Sequence, residues 1–285
     1  MAYSVEVSRR NPTCFLFLVD QSASMNDRMP GDTTQSKADF VATAVNRILH
    51  ELIIRCSKNM EIYRYFQVGV IGYGATVGPA LPGNFTDQSL IWVDELYQNP
   101  LRIDEVTKKI SDGAGGLVEV AVKFPVWFEP TANNGTPMVQ AFHLAESILQ
   151  EWLPTNPSAF PPIVINITDG ESTDGDPSII AERIKSLSTD DGNVLLLNLH
   201  VSSTAMRPLT FPDNPDSAFD QYAQLLFHMS SLLPQVMQDT ANHHGYRITD
   251  NSRGFVFNAG LEDIIKFLDI GTRTTQASND LQGVR

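Results

Sequence analysis

Cysteine is scarce in this chain: its 285 residues include two, Cys14 and Cys56. Two cysteines make no disulfide framework, and their spacing is not that of a CxxC metal or redox pair. Both fall within or beside apolar runs, which reads as two buried free thiols. No stretch of about 18 apolar residues occurs, so no helical membrane span is expected. Residues 1–11 lack the apolar centre of a secretory leader. A soluble, cytoplasmic protein is the expectation. Positive charge is also short. Twenty Lys and Arg against 33 Asp and Glu give a net charge of −13, which argues against nucleic acid or an anionic membrane as partner. An acidic balance suits a bound cation, although it serves solubility first.

Several catalytic signatures are missing as well. There is no GxxxxGK phosphate loop, no GxSxG elbow and no HExxH helix. Gly69, Gly72 and Gly74 lie in a strand and its exit and form no dinucleotide fingerprint. The six histidines show no ligand spacing. His243 and His244 are adjacent and cannot share a helix face, and His200 ends a strand and reads as a packed or rim residue. The expectation is a protein that is not an enzyme.

What is present is ample core material: 42% of residues are apolar and 19% charged, the balance of an ordinary globular domain. Residues 15–19 (FLFLV) are continuously apolar, as expected of a strand buried on both faces of a parallel sheet. Further strands are expected at 65–72, 75–81, 163–168, 194–201 and 254–258. Between them, Ser36-Lys37-Ala38-Asp39 reads as a capping box opening a helix that runs to about residue 56. Its apolar face is Phe40, Val41, Ala44, Val45, Ile48, Leu49, Leu52 and Ile53. Thr136 as N-cap with Pro137 at the first helical position starts a second helix. Others are expected at 176–187, 217–233, 234–245 and 261–270, the last closed by Gly271. Residues 84–130 are least regular. A short strand is expected at 90–96, and a turn at 112–116 joins 102–111 to 117–124 as a hairpin, although 103–110 also fits a short helix.

This alternation gives an α/β fold: a doubly wound, mostly parallel six-stranded sheet flanked by helices, Rossmann-like, with a β-rich insertion. It reads as one domain over 1–271, with insertions at 84–130 and 204–250 and a flexible tail at 272–285. In such sheets ligands sit outside the carboxyl ends of the strands, where the winding reverses. Two of the apolar strands end there in an aspartate, Asp20 and Asp169. Ser22 and Ser24 follow Asp20 at spacing two, and Thr136 enters its helix from the same edge. Asp20, Ser22, Ser24, Thr136 and Asp169 are an oxygen-only set that suits a hard cation, Mg²⁺ first, with Mn²⁺ and Ca²⁺ also accepting such donors. Zinc would call for Cys or His. Singly, each hydroxyl also fits an ordinary turn or cap. Glu171 and Ser172 fit the rim of the site or a solvated loop.

Asp20-Gln21-Ser22-Ala23-Ser24 matches the DxSxS motif of von Willebrand factor type A domains. Gly135-Thr136-Pro137 and Thr168-Asp169-Gly170 match that family's second and third loops, in the family's order. The chain therefore resembles this family over most of residues 13–270, and it looks similar to intracellular bacterial members. The resemblance implies a metal-ion-dependent adhesion site. Ser22, Ser24 and Thr136 would ligate directly, Asp20 and Asp169 largely through water, and a Glu or Asp of a partner protein would complete the shell. An adaptor in a cytosolic multi-protein assembly follows as the expected role. Two other readings stay open. One is a metal-dependent hydrolase or phosphatase using the same cage, though Ser22 stands where an acid/base partner of Asp20 would be needed. The other is a metal-free scaffold acting through the insertions. Composition and spacing say nothing of the oligomeric state.

Overall fold

The structure, a computed structural model, describes residues 2–29, 34–111, 116–201, 207–217 and 219–258. The helix expected at 261–270, the tail and most of the 112–116 turn lie outside the described residues. In chain order the elements are β1 (Thr13–Asp20), α1 (Lys37–Cys56), β2 (Phe66–Tyr73), β3 (Val77–Pro79), β4 (Ile91–Trp92), α2 (Val93–Gln98), β5 (Arg102–Ser111) and β6 (Leu117–Val126). There follow α3 (Met138–Trp152), β7 (Ile163–Thr168), α4 (Ser178–Ser186), β8 (Leu195–His200), β9 (Leu209–Thr210), α5 (Gln221–Met229), α6 (Gln235–His243) and β10 (Phe255–Phe257). Two-residue strands also make small hairpins at Ser57–Lys58 with Glu61–Ile62 and at Ser188–Thr189 with Gly192–Asn193.

The main sheet has eight strands in the order β9-β10-β8-β7-β1-β2-β3, with β4 on the other part of β2. The five strands from β10 to β2 are mutually parallel, and β3, β4 and β9 are antiparallel edges. The six expected strands of the sheet are present; the strand expected at 90–96 joins it as the two-residue β4, and β9, a pair of residues too short to show a period, makes the sheet eight-stranded and not six-stranded. The winding reverses at β1. The chain steps from β1 to β2 on one side, returns to β7 on the other and continues outward to β8 and β10, so the crevice lies between the carboxyl ends of β1 and β7.

Every residue of β1 is buried, because helices cover both faces. Phe15, Phe17 and Val19 point to the layer containing α1, α2 and α6. Leu16 and Leu18 point to the layer of α3, α4 and α5. Removing one such side chain from water contributes about 2 kcal/mol, so the strand that carries Asp20 is among the most firmly anchored parts of the chain. Both cysteines are buried free thiols, and burial pushes Cys56 up to about 12.

α1 has the expected capping box: Ser36 Oγ accepts from Asp39 N, and Asp39 Oδ2 accepts from Ser36 N. Its expected apolar face is wholly buried. One polar side chain on it was not foreseen. Asn46 accepts from the amides of Trp127 and Phe128 and donates to the carbonyls of Ala42 and Phe128. It thereby fixes the chain where it leaves the β5–β6 hairpin.

That hairpin forms with Arg102 opposite Val126 and Ser111 opposite Leu117, so 103–110 is strand and not helix. Residues 90–96 are corrected: only Ile91–Trp92 is strand, and Val93–Gln98 turns into a helix with Asp94 and Glu95 in its first turn, where carboxylates favour a helix N-terminus. The 217–233 helix is also shorter, because Asp220 caps Tyr222 and Ala223 and starts it at Gln221. Phe219 stays in the core from the segment before it.

Candidate functional site

Asp20 is the last residue of β1 and is 1% exposed. Its two oxygens are both engaged. Oδ1 accepts from the Ser22 amide at 2.8 Å, and Oδ2 accepts from the Thr168 hydroxyl at 2.6 Å. The same Thr168 oxygen accepts from the Gly170 amide at 2.9 Å. One hydroxyl thus ties the first loop to the third. Burial raises the Asp20 carboxyl from 3.8 to about 6, against the lowering effect of the Ser22 and Thr168 hydrogen bonds and with a further push from Asp169.

The first loop turns sharply after Gln21, with Ala23–Asn26 in a single turn of 3₁₀ helix. This brings Ser22 Oγ within 2.9 Å of Ser24 Oγ. Ser22 is buried. The second loop is laced to the first through Asn133 N to Gln21 O at 2.7 Å and Ala23 N to Asn134 O at 2.8 Å. Gly74, just past β2, lies against this crossing. A Cβ there would stand 2.5 Å from the Gln21 carbonyl oxygen, so glycine is what allows the two loops to meet.

Thr136 departs from its expected role. α3 begins at Met138, and Pro137 is the residue before it, so Thr136 is not the N-cap. The cap comes from the third loop instead: Asp174 accepts from the Val139 and Gln140 amides, both at 3.0 Å. Thr173 pairs with Thr136 backbone to side chain and backbone to backbone, at 2.8 and 2.9 Å. Capping from a distance leaves the Thr136 hydroxyl uncommitted among the described residues, while the residue itself is 4% exposed. Asp174→Ala is expected to cost about 1 kcal/mol, the usual worth of a cap, and to loosen the second loop. Urea unfolding, with amide exchange at Val139 and Gln140, measures both effects.

Asp169 follows β7 directly. Its Oδ2 accepts from Lys37 Nζ at 3.0 Å, and this lysine is 3% exposed. Gly170 takes φ +116 and packs against Tyr222 and His200. His200 ends β8, stacks on Phe257 with ring centroids 5.1 Å apart, and has no hydrogen-bond partner at either ring nitrogen among the described residues. Burial lowers its pKa, opposed by Asp220 and Asp169, so it packs as a neutral ring. Beneath the site a buried polar row crosses the sheet: Tyr73 Oη to Asn166 at 2.7 Å, Asn166 to Asn198 at 3.0 Å and Asn198 to Ser230 at 3.0 Å.

The structure therefore brings Asp20, Ser22, Ser24, Thr136 and Asp169 into three loops hydrogen-bonded to one another at the β1–β7 crevice. Among the described residues no group of three or more His, Cys, Asp or Glu is placed to hold a metal, as expected where three of five donors are hydroxyls. The spacing of the serines suits a hard cation. Ser22 Oγ and Ser24 Oγ share a hydrogen bond at 2.9 Å, and neighbouring oxygens of an octahedral Mg²⁺ shell with bonds of about 2.1 Å stand about 3.0 Å apart, so the pair could turn to a cation with little movement. From sequence, Thr168, Lys37 and Gly74 have no role at the site, and Thr173 and Asp174 are not singled out. A polar residue closing an apolar strand signals Thr168, and a lysine in the first turn of a helix, where the dipole disfavours it, signals Lys37.

No protein-family model matches the chain, and no curated protein sequence matches it. Solved structures do. The manganese-loaded TRAP protein of Plasmodium vivax aligns over 91% of this chain and 72% of its own at 14% identity, with a TM-score of 0.43. The vWF domain of the type V pili tip protein Mfa5 from Porphyromonas gingivalis aligns over 57% of this chain and 39% of its own, at 12% identity and a TM-score of 0.31. The pilus adhesin RrgA of Streptococcus pneumoniae aligns over 57% of this chain and 21% of its own, at 13% and 0.31. The α/β assignment rests on the strand order itself. Among the described residues no helix is long and apolar enough to cross a membrane.

Proposed function

We propose that the chain is a divalent-cation-dependent protein-binding module of the von Willebrand factor type A kind, and not an enzyme. Ser22, Ser24 and Thr136 would touch Mg²⁺, with Mn²⁺ and Ca²⁺ as alternatives. Asp20 and Asp169 would hold waters and hydroxyls around it. A bound cation supplies positive charge that attracts a Glu or Asp of a partner protein. The observation that carries this reading is the Ser22–Ser24 hydroxyl pair at 2.9 Å, held by a buried carboxylate at the switch point. A binding role is favoured over hydrolysis because Asp20 is fixed at one oxygen by the Ser22 amide and at the other by the Thr168 hydroxyl, and position 22, where a nucleophilic aspartate would need its acid/base partner, is a serine. A polar groove of about 300 Å³ beside the first two loops is lined by Asn26, Arg28, Ser36, Asp39 and Thr131 among others; with one cationic and one anionic side chain it offers a partner space without selecting its charge. An adaptor in a cytoplasmic assembly is the setting we infer.

The test is thermal unfolding with EDTA or millimolar Mg²⁺, followed by crosslinked pull-down in both buffers. At ten times Kd, Mg²⁺ is expected to add about 1.4 kcal/mol, and Ser22→Ala with Ser24→Ala is expected to erase that gain without changing the circular dichroism. Identical melting in Mg²⁺ and EDTA would remove the cation from this reading.

A further inference from the structure

Lys37 is the residue at the site that the cation reading does not use. It sits at the first position of α1, where the positive end of the helix dipole disfavours an ammonium, and it is 3% exposed. Only a strong local partner makes that placement tenable. The partner is Asp169, with Lys37 Nζ 3.0 Å from its Oδ2 and a side chain that is 10% exposed. Asp27 stands off at 3.7 Å and is 63% exposed, so water screens it. α1 is held in register by its own capping box, so the helix does not need Lys37 in order to start.

We propose that Lys37 is an internal counter-cation that competes with the divalent ion for Asp169, and that it sets both the affinity of the site and its preference for an acidic partner. The inference rests on the reading of the site given above. Asp20 and Asp169 carry two negative charges and Lys37 returns one positive charge. With a divalent cation added, the cluster stands at plus one instead of zero. One carboxylate from outside then brings it to neutrality. Lys37 thus weakens capture of the cation alone and strengthens the pull on a partner Glu or Asp. It also holds the Asp169 carboxylate by an ion pair when no metal is bound.

The experiment is calorimetric titration of the full chain with Mg²⁺ alone, comparing wild type, Lys37→Gln, Lys37→Met and Lys37→Arg, with folding checked by circular dichroism. Gln keeps a donor for Asp169, Met keeps the buried stem, and Arg keeps the charge. Removing the charge is expected to tighten Mg²⁺ binding by about tenfold or more, the scale of losing one unit charge beside a shared carboxylate. Arg is expected to bind as wild type does. Mg²⁺ binding only by the Gln or Met variant would also support the proposal. Equal or weaker binding by both neutral variants, with wild-type binding abolished by Ser22→Ala, would overturn the counter-cation role and leave the cation site standing. No binding by any of the four would overturn both.

Discussion

Asp20→Asn is expected to make the metal-free protein more stable at neutral pH while abolishing its response to Mg²⁺. The Asp20 carboxyl titrates at about 6 in the folded chain against 3.8 for an unperturbed group. Its folded-state pKa is therefore raised. The folded state holds the proton more tightly than the unfolded state, so stability is fully present below about pH 4 and is lost as pH rises through 6. The shift corresponds to about 3 kcal/mol at 1.36 kcal/mol per unit. That is an upper figure, since the asparagine must reverse the hydrogen bond that Thr168 now donates. In EDTA, the stability gap between variant and wild type should grow from nothing near pH 4 to its full size above pH 6.5. Urea unfolding at several pH values measures the gap, and comparing the two proteins cancels the other carboxylates. A gap that is flat with pH, or a variant less stable than wild type at pH 7, would show that Asp20 is not held ionised at a cost.

The same buried charge explains why such a residue would persist. In a metal-free core it is a liability of a few kcal/mol. Beside a bound cation the desolvation that raises its pKa strengthens its attraction instead. Thr168 and the Ser22 amide limit the cost in the metal-free form by presenting two donors to the carboxylate. On the cation reading proposed above, the site would trade stability for a carboxylate ready to meet a cation.

Much of this was legible in the sequence because the signals were local. An unbroken apolar run ending in aspartate placed β1 and Asp20, and a second placed β7 and Asp169. The DxSxS spacing placed the two hydroxyls. The failures came where a distant residue decided a local question. Thr136-Pro137 has the composition of a helix start, but Asp174, 35 residues beyond Val139, supplies the cap, so α3 begins at Met138. Residues 90–96 carry strand-like side chains, and tertiary packing of Val93 and Leu96 against the core made most of that stretch helical. Asn46 lies on the buried side of α1 only because Trp127 and Phe128 cross it. Lys37 was visible as a lysine within a capping box. Its partner was not, since the pair spans 132 positions.

Gly170→Ala is the second substitution with a large expected effect, and here backbone and packing act together. Gly170 has φ +116, a region that L residues rarely adopt, and a Cβ added there would lie 2.7 Å from Tyr222 Cβ and 2.9 Å from His200 Nε2. The Tyr222 contact is with an atom at the root of its side chain, which cannot swing away. Backbone strain and overpacking each cost about 1–3 kcal/mol. Gly245 separates the two, since it has φ +84 with nothing within 4 Å of an added Cβ. Gly245→Ala should show the backbone cost alone, and Gly170→Ala about 2 kcal/mol more. His200→Ala combined with Gly170→Ala should recover part of that difference, because it removes the ring but not Tyr222. A backbone shift that relieves the clash carries Asp169 with it, since Asp169 is bonded to Gly170 and ion-paired to Lys37. Gly170→Ala should therefore lose the Mg²⁺-induced rise in melting temperature, whereas Gly245→Ala keeps it. Equal destabilisation by the two alanines, or an intact Mg²⁺ response in Gly170→Ala, would mean that the third loop adapts freely and does not depend on this glycine to hold Asp169 at the crevice.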